Sequence, residues 1–564
     1  MQPSTTLSGR LPGADAPLTC HAVNPYVAED FTASEQSILR RYFTNLDGPV
    51  FALVNLPEVV KGALFARYSR SAKSLRRLFL DEFVGELEVA GDVTVDATIG
   101  VQRAEALYEK VFVEYGDDSV AQLGGVHLAC EQASNLLTKV LEWGRLMSYL
   151  EQSTRYIAYD TRLGGRYRYH RDEAVLSSSL GARFVGDMDL MFDTYAELLP
   201  VLADYFRDLT PKDPADSDFV YRQATRAKAF DALRGLLPAA ALSNVGIYGT
   251  GQGFEQLLLR MRASLLPEVV DYSQLMLDEL RKVIPSFLRR VDVADRGGAW
   301  SNYMGENRAA MRDIAARLLP SDAGPPTDSK VTLVDFDPDG EVKVVAAMLY
   351  SSSHLPETAI EDRVRAMSVE DRLAVIRAYV GDRRNRRHKP GRALERAGYR
   401  FDVLSDYGAF RDLQRHRLLT IEWQDLSPLH GFVRPEAVAD AGAMERYDAA
   451  MATSAELHDI MFEQFPQQAQ YAVALAYRVR YVMQMNAREA MHLIELRSAP
   501  QGHPAYRNVA QDMHHLIAEG AGHRAIAEMM RFVDHSAEPE LERLEAERRA
   551  ELRRAAAAPR YDVG

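Results

Sequence analysis

Arg145, Glu151, Ser153 and Arg155 stand within eleven consecutive positions of the stretch WGRLMSYLEQSTRY, residues 143–156, beside Tyr149 and Tyr156. Two arginines and a serine can hold a phosphate. The guanidinium is planar, permanently charged and offers a bidentate fork to phosphate oxygens. A carboxylate between them can accept from a sugar hydroxyl or a ring N–H. The same residues have a plainer reading. Glu151 and Arg155 are spaced i,i+4, the spacing of an ion pair on a solvated helix face, which contributes only ~0.2–0.5 kcal/mol.

The chain that must position these residues has 564 residues, too many for one core, with 47% hydrophobic and 26% charged residues. That is the composition of an ordinary soluble globular protein. A net charge of −13 disfavours non-specific nucleic-acid binding, which needs a basic footprint, but permits a local pocket for one small anion. Two cysteines, Cys20 and Cys130, make neither a disulfide framework nor a zinc cluster and fit a reducing cytoplasm. Cys130 reads as a packing residue. No basic start followed by an apolar run marks a signal peptide, and no apolar stretch reaches membrane-spanning length. The fourteen histidines show no convincing ligand spacing, so no metal is expected.

Read in order, residues 1–44 form an N-terminal arm, loosest in its first thirty residues, and VFALVNL (50–56) is a buried strand. KSLRRLFLDEFVGEL (73–87) and VQRAEALYEKVFVEY (101–115) are amphipathic helices. An apolar segment at 120–130 precedes a helix expected over about 132–147. A long helical region occupies 182–290, broken near Pro211, Pro214, Pro238 and Pro267. PSDAGPPTDS (320–329) is the clearest linker. Beyond it the order recurs. VTLVDFD (331–337) echoes VFALVNL, helices follow, and RHRLLTIEW matches WGRLMSYLE, so that Arg417 answers Arg145 and Thr420 answers Ser148. A second long helical region spans 439–535. The chain therefore reads as a diverged tandem duplication: 45–315, a linker at 316–330, 331–535, and a charged tail at 536–564.

With both copies in view the chain resembles the flavin-dependent thymidylate synthases, which carry RHRxxSxNExSxRY at a helix end and, later, a helix of the type NARSLMNFLxLR. The first half keeps Arg145, Ser148, Glu151, Ser153, Arg155 and Tyr156, but has Trp143, Gly144 and Leu150 in the pattern. The second keeps Arg415, His416 and Arg417, with Thr420, Trp423 and Asp425 where Ser, Glu and Ser would stand. NAREAMHLIELR (486–497) nearly repeats the later signature, with His492 in place of an Asn; GTGQGFEQLLLR keeps only Arg260. ALRGLLP offers Arg234 at a phosphate-side position where the second half has Gln470 or Tyr471.

The resemblance implies an α+β fold, mostly helical, of two halves that each hold a small sheet. It implies FAD, NADPH and methylenetetrahydrofolate acting on C5 of dUMP, with no cysteine nucleophile. Arg145, Glu151, Ser153, Arg155 and Arg234 would hold the nucleotide. Arg415, His416, Arg417, Asn486, Arg488 and His492 would seat FAD. Arg497 or Arg260 would stabilise charge developing on the uracil. A homodimer would stand for the family's homotetramer, with no nucleic acid and no membrane involved. A flavoenzyme acting on another pyrimidine nucleotide, or a non-catalytic relative, are the alternatives.

Overall fold

Two four-stranded antiparallel sheets carry the fold, and their topologies are identical. The first contains β1 (Val50–Leu53), β2 (Gly125–Ser134), β3 (Met147–Glu151) and β4 (Leu242–Thr250), in the order β1-β2-β4-β3. The second contains β5 (Val331–Phe336), β6 (Gly398–Asp406), β7 (Thr420–Trp423) and β8 (Arg478–Asn486), in the order β5-β6-β8-β7. The structure is a computed structural model and describes residues 26–56, 58–84, 122, 124–214, 216–319, 330–536 and Arg548. The expected helix at 101–115, the linker core at 320–329, Cys20 and nearly all of the charged tail lie outside the described residues.

Around the first sheet lie α1 (Asn135–Leu141), α2 (Gly181–Leu209), α3 (Asp218–Leu233), α4 (Gly251–Arg262) and α5 (Pro267–Arg281). Around the second lie α6 (Tyr407–Leu413), α7 (Met444–Phe462), α8 (Ala487–Arg497) and α9 (Pro504–His515). The helix starts show why the copies can be laid over one another. Ser134 and Asp406 end β2 and β6, and each side chain accepts the N–H three residues on. Thr250 and Asn486 end β4 and β8 and cap α4 and α8 in the same way.

The halves meet across a local pseudo-twofold axis. Pro238 and Ala474 form a single antiparallel bridge. The Ala239 N–H donates to Val473 at 2.8 Å, and the Leu475 N–H donates to Leu237 at 2.9 Å. The same symmetry appears in side chains. Arg145 donates to Thr420 Oγ1 at 2.8 Å, and Arg417 to Ser148 Oγ at 3.1 Å. One apolar core runs through both halves, from Val50 to Met530. Neither sheet can therefore bury its apolar face fully without the other half.

Several sequence expectations need correction. The helix foreseen over 132–147 is a strand to Ser134 followed by the seven-residue α1. The helical regions 182–290 and 439–535 each contain a strand, β4 and β8. For β8 the signal was present: RVRYVMQMN buries Val479, Tyr481, Met483 and Met485 in strict alternation. Glu151 and Arg155 share no helix face, because Glu151 ends β3 and the chain then turns. Cys130 is wholly buried in β2, where burial pushes its thiol up and leaves it inert. Among the described residues no helix is long and apolar enough to cross a membrane.

Candidate functional site

Glu151 is the centre of a buried ion cluster drawn from both halves. One carboxylate oxygen accepts from Arg411 at 2.8 Å. The other accepts from Arg415 at 2.8 Å and Lys139 at 3.1 Å. Lys139 also meets Glu142 at 2.6 Å. Burial alone would raise the Glu151 carboxyl, but Arg411, Lys139 and Arg415 reverse this and hold it well below the usual carboxylate range. Glu151 thus bridges the two halves with both oxygens engaged, rather than facing a ligand.

Arg415 connects this cluster to a second one around Asp412. Arg234 Nη1 lies 3.4 Å from Asp412 and Arg497 Nη1 lies 4.0 Å from it. Burial would raise Asp412; Arg415, Arg234, Arg497 and Arg155 together press it far down. Arg155 grips Asp231 with two bonds of 2.7 and 2.6 Å, and also reaches Tyr506 Oη at 3.3 Å. Asp231 is thereby held at about 2 against the opposing effect of burial. Arg155 and Arg234 come from the first half, Arg415 and Arg497 from the second. Arg234 is only 4% exposed, and its Nη2 has no hydrogen-bond partner. Its guanidinium lies over Gly408, where a Cβ would come within 3.1 Å of Nη2. Six cations (Lys139, Arg155, Arg234, Arg411, Arg415 and Arg497) therefore face five carboxylates (Glu142, Glu151, Asp231, Asp406 and Asp412).

The symmetry-related position is different throughout. Counting from the matched caps, Trp143 replaces Arg415, Val140 replaces Asp412, Trp423 replaces Glu151, Gln470 replaces Arg234 and Met261 replaces Arg497. The Arg415–Glu151 ion pair has become a Trp143–Trp423 edge-to-face contact with centroids 5.1 Å apart. Gln470 accepts from the Leu426 N–H instead of meeting a carboxylate. These caps also shift one match by a residue: Arg260 falls opposite Leu496, not Arg497.

The remaining predicted residues fall into separate groups. Arg145, Arg260, His416 and Arg417 line one cavity of about 440 Å³ with Trp143, Gln252 and Gln256. Arg260 lies over the Trp143 ring at 5.4 Å, and its Nε is buried without a partner. Asn486 caps α8, and Arg488 donates to Pro390 O at 3.1 Å; neither lines that cavity. Ser153 Oγ accepts the Arg155 N–H at 3.3 Å and lines none of the three cavities described.

His416 is the wall between cavity and ion clusters. Arg497 Nε donates to its Nε2 at 3.0 Å, so Nδ1 carries the proton and donates to Glu489 at 3.1 Å. His416, Glu489 and His492 could hold a metal, their ligand atoms lying within 4.8 Å of one another, a constellation that the search for sequence spacing missed. The Arg497 bond opposes that role, because it leaves His416 no free lone pair. Burial, reinforced by Arg497 and Lys389, holds His416 well below its usual value, and burial lowers His492 to about 4.

Sequence reasoning passed over Asp412, Arg411, Asp231 and Glu489. Arg411 and Arg415, spaced i,i+4 around Asp412, were the available signal.

The chain matches the thymidylate synthase complementing protein family twice, over residues 66–286 and 332–521. It is 40% identical over 524 residues to a UPF0159 protein of Chlamydia muridarum, covering 92% of this chain and 98% of that one. It is 32% identical over 520 residues to a UPF0159 protein of Thermoplasma acidophilum, covering 87% and 99%. Among solved structures, a flavin-dependent thymidylate synthase of Helicobacter pylori complexed with FAD and dUMP is similar at 16% identity. That match covers 36% of this chain and 100% of that one, with a TM-score of 0.27. A UMP/dUMP methylase of Streptomyces cacaoi bound with 5-Br UMP is similar at 19% identity, covering 37% and 98%, with a TM-score of 0.28. Two matched segments, two sheets of one topology and a relative aligned along nearly its whole length place this chain in the thymidylate synthase complementing protein family, as a tandem duplication.

Proposed function

We propose that this chain is a flavin-dependent enzyme that methylates C5 of a pyrimidine nucleotide, dUMP first among the candidates, at one composite site per chain. The observation that carries this reading is the convergence of Arg155 and Arg234 with Arg415 and Arg497 on Asp412. The cations of this cluster outnumber its carboxylates, which suits a phosphate. Arg234 Nη2 is already buried and lacks an acceptor, which a phosphate oxygen would supply. Arg497, fixed through His416, is the group to polarise the pyrimidine carbonyl as charge builds on the ring.

The cavity bounded by His416 fits a flavin ring. Trp143 lines it with Arg260 over its ring, and Arg145, Arg260 and Arg417 suit the negative charge of a reduced ring. FAD, when bound, supplies the electrons and the carrier for the one-carbon unit, with NADPH and methylenetetrahydrofolate as the co-substrates. The protein's part is to orient the two rings and to exclude water between them. The two repeats, 45–315 and 331–535, each give half of the nucleotide site, and a homodimer would supply four such units.

Flavin absorbance with and without dUMP tests this reading, together with dUMP binding by calorimetry. Arg155→Ala and Arg497→Ala lie in different halves, and each is expected to weaken nucleotide binding about a hundredfold. If only one half's substitution matters, the composite site is wrong. If UMP binds and dUMP does not, the acceptor changes but the site stands.

A further inference from the structure

One strongly charged feature is not used by the site above. GDRRNRRHKP (381–390) places Arg384, Arg386, Arg387, His388 and Lys389 on an exposed turn of a chain whose net charge is −13. Arg384 has one weak partner, Asp382 at 3.5 Å. Arg386, Arg387 and Lys389 form no ion pair among the described residues. Like charges this close repel; Asp382 stands against Arg384 and Glu489 lies near Lys389, but Arg386 and Arg387 have no ion-pair partner among the described residues.

The turn is nevertheless held rigidly. Gly381, at φ +63°, ends the preceding helix in a conformation that favours glycine. Arg383 turns inward, pairs with Glu495 through two bonds of 2.7 Å and donates Nε to His388 O at 2.7 Å. Asn385 Oδ1 accepts the Arg387 N–H, and Asn385 O accepts the His388 N–H. Arg488 of α8 donates to Pro390 O, which ties the turn to the helix carrying His492. His492 in turn lies 5.4 Å from His416, on the wall of the flavin-sized cavity. This frame presents the exposed cations near His492 and His416, the latter on the cavity wall, with Lys389 and Arg386 close enough to act on His492.

We propose that the turn 384–389 clamps the diphosphate of a bound dinucleotide. This inference rests on the function proposed above. Its N–H groups at 387, 388 and 389 are engaged within the turn, so side chains alone do the binding. Guanidinium groups suit phosphate geometry, and the turn's small span suits one diphosphate rather than a nucleic-acid backbone. FAD and NADPH carry the same diphosphate chemistry, and the experiment separates them.

The test is a triple variant, Arg386→Gln with Arg387→Gln and Lys389→Gln, compared with the full-length parent. All three side chains are exposed, so an unchanged melting curve is expected. FAD affinity is read by flavin fluorescence, NADPH by nicotinamide fluorescence, and riboflavin, which lacks a diphosphate, serves as the control. Affinity for one dinucleotide is expected to fall at least about tenfold, with riboflavin unchanged. That gap should shrink at about 0.5 M salt, where exposed charges are screened. Unchanged affinity for both dinucleotides overturns the clamp and leaves the proposed function standing. An equal loss of riboflavin binding overturns it too. A parent protein that binds neither dinucleotide overturns the clamp and the proposed function together.

Discussion

The pseudo-twofold axis brings the same pair of positions together twice, and the two meetings have opposite chemistry. On one side Arg415 meets Glu151 at 2.8 Å; on the other Trp143 meets Trp423 at 5.1 Å. Both members of the equivalent pair Lys139 and Arg411 reach the same carboxylate, Glu151. A symmetric pair of subunits would be forced to use one sequence at both places. A fused chain is free of that constraint. One side has gathered arginines around buried carboxylates, and the other has become an apolar seam. The seam contributes packing, while the charged side carries a large desolvation penalty.

The comparison can be broken most severely at Glu151. Glu151→Ala leaves the buried Arg411 without its carboxylate and Lys139 with Glu142 alone, and about 3–5 kcal/mol of unfolding free energy is expected to be lost. Trp423→Ala at the matching position only shortens a half-buried contact and is expected to cost on the order of 2 kcal/mol. Urea denaturation of both variants checks the ratio; equal losses would mean that the two sides do the same work.

Nucleotide binding should divide the sides next. Arg155→Ala and Arg234→Ala are each expected to weaken dUMP binding about a hundredfold, a loss of about 2.7 kcal/mol. Gln470→Ala, the counterpart of Arg234, should leave dUMP affinity unchanged, and calorimetry should find one nucleotide per chain rather than two. A stoichiometry of two would show that the apolar side still binds.

Acid should act on the charged side. His503 donates Nε2–H to Asp231 O at 3.3 Å and accepts the Ala505 N–H, so both nitrogens are used and burial lowers its pKa to about 3. Its folded value lies below the ordinary 6.5, so the unfolded chain takes up the proton first as pH falls. The stability is complete above the ordinary value and is lost progressively between pH 6.5 and 3. Between pH 7 and pH 5 the loss is expected to be about 2 kcal/mol. His503→Gln should flatten that stretch of the stability–pH curve.

The smallest effect is expected where the symmetry survives. Ser148→Ala removes one acceptor of Arg417, which keeps the Met147 carbonyl, and Thr420→Val removes that of Arg145. Each should cost at most about 1 kcal/mol, with Ser148→Ala no costlier than Thr420→Val. A larger cost at either position would show that these contacts carry more than symmetric packing.

Much of this was legible before any coordinates. The repeated strand–helix–arginine order, VFALVNL against VTLVDFD and WGRLMS against RHRLLT, is linear information, and it gave the duplication and the family resemblance. The caps went unread, although Ser134, Thr250 and Asn486 are residues that favour helix starts. The strands β4 and β8 were missed because they sit inside long apolar stretches flanked by helices, where period-2 alternation over nine residues competes with a stronger helical signal. The one-residue slip at Arg260 has a similar origin: along a helix, two leucines and an arginine look alike in either register until the cap fixes it.

The sequence by itself determined the two copies, their order of elements and the list of charged residues that each retained. Only the tertiary structure decided which of those charges meet. Glu151 and Arg415 are 264 positions apart, and Arg234 and Asp412 are 178 apart. The physical reason is that an ion pair is a property of distance and burial, neither of which spacing along the chain encodes. Glu151 reads as a solvated carboxylate in the linear sequence, and it becomes a buried bridge between the halves only when the second half supplies Arg411 and Arg415.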